Sequence, residues 1–162
     1  MSQSIYESNR CDSIASSTGQ RCRNRTGRGR QCWHHQMRDA NVRVKTSQIP
    51  NGGLGLFAGP KGIKKGQRIS YTGEAMTHAA VNARYPRESF PHGPDYVYCR
   101  SNAHCRDARK TSERGYGRWV NDARGSDLRN NAKLTTGYNV KATRNIAPGS
   151  EVLASYGRQY WQ

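Results

Sequence analysis

The stretch Asn145-Ile146-Ala147-Pro148-Gly149-Ser150-Glu151-Val152-Leu153-Ala154-Ser155-Tyr156-Gly157 decides how the chain reads. Ala147-Pro148-Gly149 is a turn signal, and Glu151-Val152-Leu153 after it is a short alternating segment of strand type. Toward the N-terminus the same grammar repeats. Tyr138-Asn139-Val140, Asp95-Tyr96-Val97-Tyr98, Arg68-Ile69-Ser70-Tyr71 and Val42-Arg43-Val44-Lys45 read as strands, with turns at Gly59-Pro60-Lys61-Gly62 and Pro50-Asn51-Gly52-Gly53. One helix is predicted over residues 75–84, where Met76, Ala79, Ala80 and Ala83 share a face. The expected fold class is mostly β with few short helices over residues 41–162. There is no internal repeat.

Composition bounds what such a fold can be. Of 162 residues 33% are hydrophobic and 17 are glycine, so any core is modest and rich in turns. Lys and Arg number 27 against 11 Asp and Glu, a formal charge of +16. That imbalance favours contact with nucleic acid or another polyanion, or else is a generally solvated basic surface. It is spread along the chain, with seven basic and three acidic residues in 1–40 and twenty and eight thereafter. The opening MSQSIYESNRCDS lacks the apolar run of a secretory signal, and no stretch approaches the roughly 20 apolar residues of a membrane span. An intracellular protein without membrane contact is expected. Its five cysteines then point to metal or free thiols rather than a disulfide framework.

Residues 1–40 are polar, arginine-rich and nearly free of aliphatic side chains, too poor to fold unaided. Cys11, Cys22, Cys32 and His35 offer three thiolates and one imidazole within 25 residues, a ligand set for a closed tetrahedral zinc site. Metal binding energy would then serve as folding energy. His34 is the alternative fourth ligand, and a disordered basic tail with incidental cysteines is the alternative state. Arginines 21, 23, 25, 28 and 30 would suit the module to phosphate or acidic-patch contact. Cys99 and Cys105 flank His104, where free thiols are expected in preference to a second metal site.

Four stretches, in order, resemble the SET-domain methyltransferases. They are Gly52-Gly53-Leu54-Gly55-Leu56-Phe57-Ala58; Tyr71-Thr72-Gly73-Glu74, like the family's Y-x-G-E; Arg106-Asp107-Ala108 leading to Gly117-Arg118-Trp119-Val120-Asn121, similar to D-A…G-R-F-I-N-H; and the closing 145–157 segment, similar to I-x-x-G-E-E-L-x-x-D-Y-G. Together they span residues 42–157. The ending Tyr156-Gly157-Arg158-Gln159-Tyr160-Trp161 looks most like the compact SET enzymes of large DNA viruses, and the N-terminal segment resembles short Cys/His modules of such viruses. The resemblance implies the β-clip SET fold, with a small metal-ordered module ahead of it. It also implies an S-adenosylmethionine-dependent protein-lysine methyltransferase acting on a basic, lysine-containing tail, with histone as the default substrate.

By that resemblance Gly53, Leu54, Gly55, Tyr96, Asn121 and Trp161 contact the cofactor, Tyr156 and Tyr71 are catalytic, and Ala154 stands where a bulkier family residue limits methylation. A site permitting di- or trimethylation follows. A glycine-rich turn lets backbone approach a ligand, and an aromatic channel favours the neutral amine of lysine, whose unperturbed pKa is about 10.4. Asp122 replaces the family's His, so the hydrogen bonds there must differ, and a pairing with Arg124 is expected. That substitution favours the alternative function, a catalytically weak SET-like scaffold binding nucleic acid or chromatin. No cysteine follows Cys105, so the family's zinc-binding tail is missing; Tyr160 and Trp161, or a second subunit in a homodimer, would close the channel. Contact with DNA or nucleosomes is expected from the charge, and residence in the nucleus, a viral factory or a virion from the expected substrate.

Overall fold

The computed structural model describes residues 9–26, 30–90, 94–109 and 115–157. The chain divides into two compact units, Met1–Val42 and Arg43–Gln162. Among the described residues no helix is long and apolar enough to cross a membrane.

In the first unit β1 (Asn9–Arg10) pairs antiparallel with β2 (Arg25–Thr26), and α1 (Trp33–Asp39) follows. Its buried cluster is Cys11, Cys22 and Cys32, so sulfur takes the place of an aliphatic core. Arginine side chains tie its loops: Arg10 Nε donates to the Cys22 carbonyl, and Arg21 and Arg30 both pair with Asp12.

The second unit is built of small sheets. β3 (Val42–Thr46) pairs with β4 (Leu54–Ala58). The turn between them is closed by Ser47 N–H to the Gly53 carbonyl, with Asn51 and Gly53 at positive φ. β5 (Arg68–Ser70) is an edge of a four-stranded sheet with β9 (Ala132–Thr135), β10 (Asn139–Ala142) and β11 (Ala154–Ser155), in the order β11-β9-β10-β5. Val140 and Ala142 turn inward from β10 while Asn139 and Lys141 turn outward, the period-2 alternation of a half-buried strand. A third sheet orders β6 (Glu74–Met76), β8 (His104–Asp107) and β7 (Val97–Ser101), with β8 central. A 3-10 helix, Tyr116–Trp119, completes the set.

The segment ending at Tyr156 is held along both edges. On one side Asn121 pairs in parallel with Leu153, and Ala154 N–H donates to the Asn121 carbonyl. On the other, the Leu153 carbonyl accepts from Asn131 and Ala132 N–H, while the Asn131 side chain bonds both the Glu151 carbonyl and Leu153 N–H. Val152, Leu153 and Ala154 are fully buried as a result.

The predicted helix is corrected at its start and at its buried face. Glu74–Met76 is strand β6, and α2 runs His78–Arg84. Thr77 caps it, its hydroxyl accepting from Ala80 N–H at 3.1 Å, and Pro86 follows its end. The apolar side is Val81 with Tyr85, packed with Met76, Phe90 and Val97, whereas Ala79, Ala80 and Ala83 face solvent. Tyr85 and Val81 each gain about 1.5–3 kcal/mol from burial, far more than an alanine face would.

The expectation of free thiols at Cys99 and Cys105 is overturned as well. β7 and β8 form an antiparallel hairpin whose register sets the two cysteines directly opposite, and they are joined as a disulfide with Cα atoms 4.0 Å apart. β8 has no strong alternation in sequence, so its register to Cys99 was not legible.

Candidate active site and metal centre

A cleft of about 660 Å³ opens in the second unit. That lies within the usual range for small-ligand sites. The β3–β4 turn, the 117–122 segment, the 95–98 segment, Tyr71 and Tyr156 line it.

Asn121 organises one wall. Its Nδ2 donates to the carbonyls of Gly52 (3.1 Å) and Leu54 (3.0 Å), fixing the glycine turn from both sides. Gly53, between them, has φ +59, and a Cβ there would meet nothing within 4 Å. The turn therefore presents bare backbone to open space. Leu54 is exposed at this rim. Gly55 stands apart from the cleft: it is buried on β4, and a Cβ there would collide with the Glu151 carboxylate. Glu151 is itself buried, accepting from Ser47 Oγ (2.6 Å) and Gln48 N–H (2.7 Å). The sequence marks Glu151 only as part of a strand, with no signal of this bracing role.

Tyr156 forms another part of the cleft. Its hydroxyl donates to the Val120 carbonyl at 2.8 Å and lies 3.4 Å from Asn121 Oδ1. Its backbone N–H donates to Asp122 Oδ2 at 2.8 Å. Asp122 is 6% exposed, and its other oxygen accepts from Arg124 N–H and Asn130 Nδ2, both at 3.1 Å. The expected contact with Arg124 is thus made through that residue's backbone N–H. Asp122 extends the parallel pairing of 121 with 153 by one more acceptor, just where β11 runs out.

Aromatic rings supply the remaining surface. Tyr71 is buried and packs edge-on against Tyr98 at 5.9 Å, and Tyr98 in turn against Tyr138 at 5.9 Å. Burial, then the Tyr138 phenol, pushes the Tyr98 hydroxyl above its usual range. Tyr96 sits at φ +62 with its ring 5.5 Å from Trp119. The Arg118 guanidinium lies over both rings, 4.2 Å from Tyr96 and 4.5 Å from Trp119. Arg118 lies within the Gly117-Arg118-Trp119-Val120-Asn121 motif, where the sequence carries no signal of its role. Its Nε is buried without a hydrogen-bond partner among the described residues, and the residue lines the cleft. Exposed Asp95 lines the cleft too.

Like Gly55, one further expected site residue lies away from the cleft. Ala154 is fully buried in β11 and does not line the cleft. Trp161 falls outside the described residues, as does Tyr160. Glu74, of the Tyr71-x-Gly-Glu74 motif, is engaged by Arg84 at 2.7 and 3.0 Å, and Arg84 also reaches buried Asp107 at 3.0 Å. Burial would raise the Asp107 carboxyl, but the Tyr85 hydroxyl, Arg109 N–H and Arg84 together hold it below the usual range.

In the first unit Cys11, Cys22, Cys32 and His35 converge, all buried, with their ligand atoms within 4.8 Å of one another. Cys22 Sγ lies 4.0 Å from Cys32 Sγ, and His35 Nδ1 lies 3.2 Å from Cys32 Sγ and 3.5 Å from Cys11 Sγ. Tetrahedral zinc with bonds of about 2.3 Å to sulfur and 2.0 Å to nitrogen has edges of about 3.5–3.8 Å, so the set fits. Helix geometry explains the close pair: Cys32 is the N-cap of α1 and His35 lies three residues on, on the same side. His34 is exposed, which decides between the two histidines in favour of His35. Outer donors face the sulfurs: Cys32 N–H to Cys11, Asn24 N–H to Cys22 and Asn24 Nδ2 to Cys32. Burial would push the Cys32 thiol up, yet the hydrogen bonds from His35 bring it down to about 6. His35 is raised in return, chiefly by its bond to Cys32.

With this geometry in place, comparison with known proteins gives the class. The SET domain family model matches residues 53–157, and the chain belongs to the SET-domain family. Among solved structures it is similar to the methyltransferase domain of human PR domain-containing protein 2, with 24% identity and a TM-score of 0.49, over 75% of this chain and 82% of that one. No curated protein matches the chain by sequence.

Proposed function

We propose that the protein is an S-adenosylmethionine-dependent protein-lysine methyltransferase whose substrate is a histone tail. The observation that carries this reading is the Tyr156 hydroxyl, held by the Val120 carbonyl beside Asn121 in a cleft of a SET domain. The cofactor fits the donor set. Gly53 offers unobstructed backbone, Asn121 fixes the turn around it, and the orphaned Arg118 Nε is a donor suited to a carboxylate. S-adenosylmethionine supplies a methyl group on a sulfonium, ready for in-line displacement.

The remaining work belongs to the chain. Tyr71, Tyr96 and Tyr98 make an aromatic approach in which a lysine ammonium loses water, favouring the neutral amine. Tyr156 donates its own proton to Val120, so the phenol oxygen keeps lone pairs to accept an amine N–H and orient the nitrogen. Exposed Asp95 at the cleft offsets the repulsion that a chain of charge +16 exerts on a basic tail. Asp122 supports activity: the residue that departs from the family pattern braces Tyr156 rather than loosening it.

The Cys11, Cys22, Cys32 and His35 cluster is proposed to hold structural zinc through three thiolates and His35 Nδ1. The activity is tested by methyl transfer to core histones with isotopically labelled cofactor. Wild type is expected to label lysine, and Tyr156→Phe to lose at least about 100-fold in rate, the scale of a lost orienting group. Absence of label, label on arginine, or an unimpaired variant would contradict the reading.

A further inference from the structure

The four-stranded sheet aligns three cations in one cross-strand row. Lys141 on β10 is opposite Arg68 on β5 and Lys133 on β9, and Lys133 is opposite Ser155 on β11. Inward neighbours Val140, Ala132 and Ala142 are buried, so the row belongs to the outward face; Arg68 and Lys133 are exposed. Strands lie about 4.8 Å apart, so three positive charges occupy about 10 Å. The neighbouring outward row is Ser70, Asn139 and Thr135, polar and uncharged. None of the four strands carries an acidic residue. None of the three cations forms an ion pair among the described residues.

Like charges directly opposite on a sheet are destabilising. A lysine or arginine on an edge strand guards against pairing with another chain, which accounts for Arg68 on β5. It does not account for Lys133 and Lys141, because β9 and β10 are the interior strands. More cations gather at one end of the sheet. Lys65 N–H bonds the Asn145 side chain, and Arg144 donates to the Arg129 carbonyl, bringing Lys65, Arg144 and Arg129, all exposed, to that end. Several acids of this unit are turned inward: Asp107, Asp122 and Glu151 are buried and bonded within the fold.

We propose that the outward face of this sheet is a docking surface for the sugar–phosphate backbone of duplex DNA, without base reading. Ammonium and guanidinium groups on a polar face, with the Ser70 hydroxyl in the neighbouring row, suit a closely spaced row of phosphates. The face is distinct from the cleft residues and does not depend on methyl transfer.

The test is fluorescence anisotropy of a labelled 20-base-pair duplex across a salt series. Arg68→Gln/Lys133→Gln/Lys141→Gln is compared with wild type and with Arg43→Gln/Lys45→Gln/Arg87→Gln, which removes equal charge elsewhere. The sheet-face variant is expected to bind at least about tenfold more weakly at low salt and to lose about 2 to 3 from the log–log salt slope, with Lys141→Gln alone losing about 1. The control is expected to change affinity less than about threefold. The sheet-face variant should melt at or above the wild-type temperature, since facing like charges are relieved. Equal weakening by both triple variants, or by neither, would overturn the proposal. So would tighter binding to phosphatidylserine vesicles than to DNA at matched salt.

Discussion

Asp122 shows how one substitution in a family pattern is absorbed. An aspartate in place of the family histidine puts a buried carboxylate beside Tyr156, and its acceptors are used by the N–H groups of Tyr156 and Arg124 and by the Asn130 side chain. Deleting it strands the Tyr156 amide at the end of β11. Asp122→Ala is therefore expected to cost about 2–3 kcal/mol, and Asp122→Asn, which keeps one acceptor oxygen, less than half of that. A melting-temperature drop of roughly 5–10 °C for the alanine variant checks this in a chain of this size, and a variant melting within about 1 °C of wild type would contradict it. Asn121 and Tyr156, singled out by motif in the sequence, both line the cleft. Arg118 was not legible, because its stacking on Tyr96 joins residues 22 positions apart with no local signature, although its other ring partner, Trp119, is the next residue in the chain. Gly55 was read as a ligand-facing glycine, yet it serves close packing against Glu151, a distinction visible only once β4 and residue 151 are side by side.

Among the elements, those with alternating β-branched residues and clear turns were legible: β3, β5 and β10 fall where the period-2 pattern put them. β8 and β9 were missed. His104–Asp107 is polar throughout apart from Cys105, and its strand character comes from lying between β6 and β7 rather than from propensity. The same omission hid the Cys99–Cys105 pairing. α1 was missed because residues 33–39 bury only His35 and Met37, and one of these points to the cysteine cluster. That unit offers the clearest metal prediction. One equivalent of zinc per chain is expected on release into a colorimetric chelator after thiol modification, and Cys32→Ser or His35→Ala should abolish it while His34→Ala leaves it intact. Stripping the metal should unfold α1, since the cluster has no aliphatic side chains to replace it. Retention of zinc in the Cys32→Ser variant would contradict the assignment.

For the whole molecule, a charge of +16 coexists with a cleft that, on the proposed function, admits a cationic substrate. The charge is unevenly placed: Arg68, Lys141 and Lys133 stand on the outward face of one sheet, while the cleft sets Asp95 and Asp122 beside Arg118 and Arg124 among its aromatic rings. Net charge alone pointed to a polyanion partner without placing it, because which strands neighbour one another is not written in composition. On the proposed function, the cleft bounded by Gly53, Asn121 and Tyr156 takes S-adenosylmethionine. Isothermal titration of the purified protein with that cofactor, beside Gly53→Val, tests it most directly. Valine would force a β-branched side chain into φ +59 and place its methyls in the opening above the turn. One-to-one binding by wild type is expected, and at least about tenfold weaker binding by the variant. No binding by wild type, or equal binding by both, would contradict it.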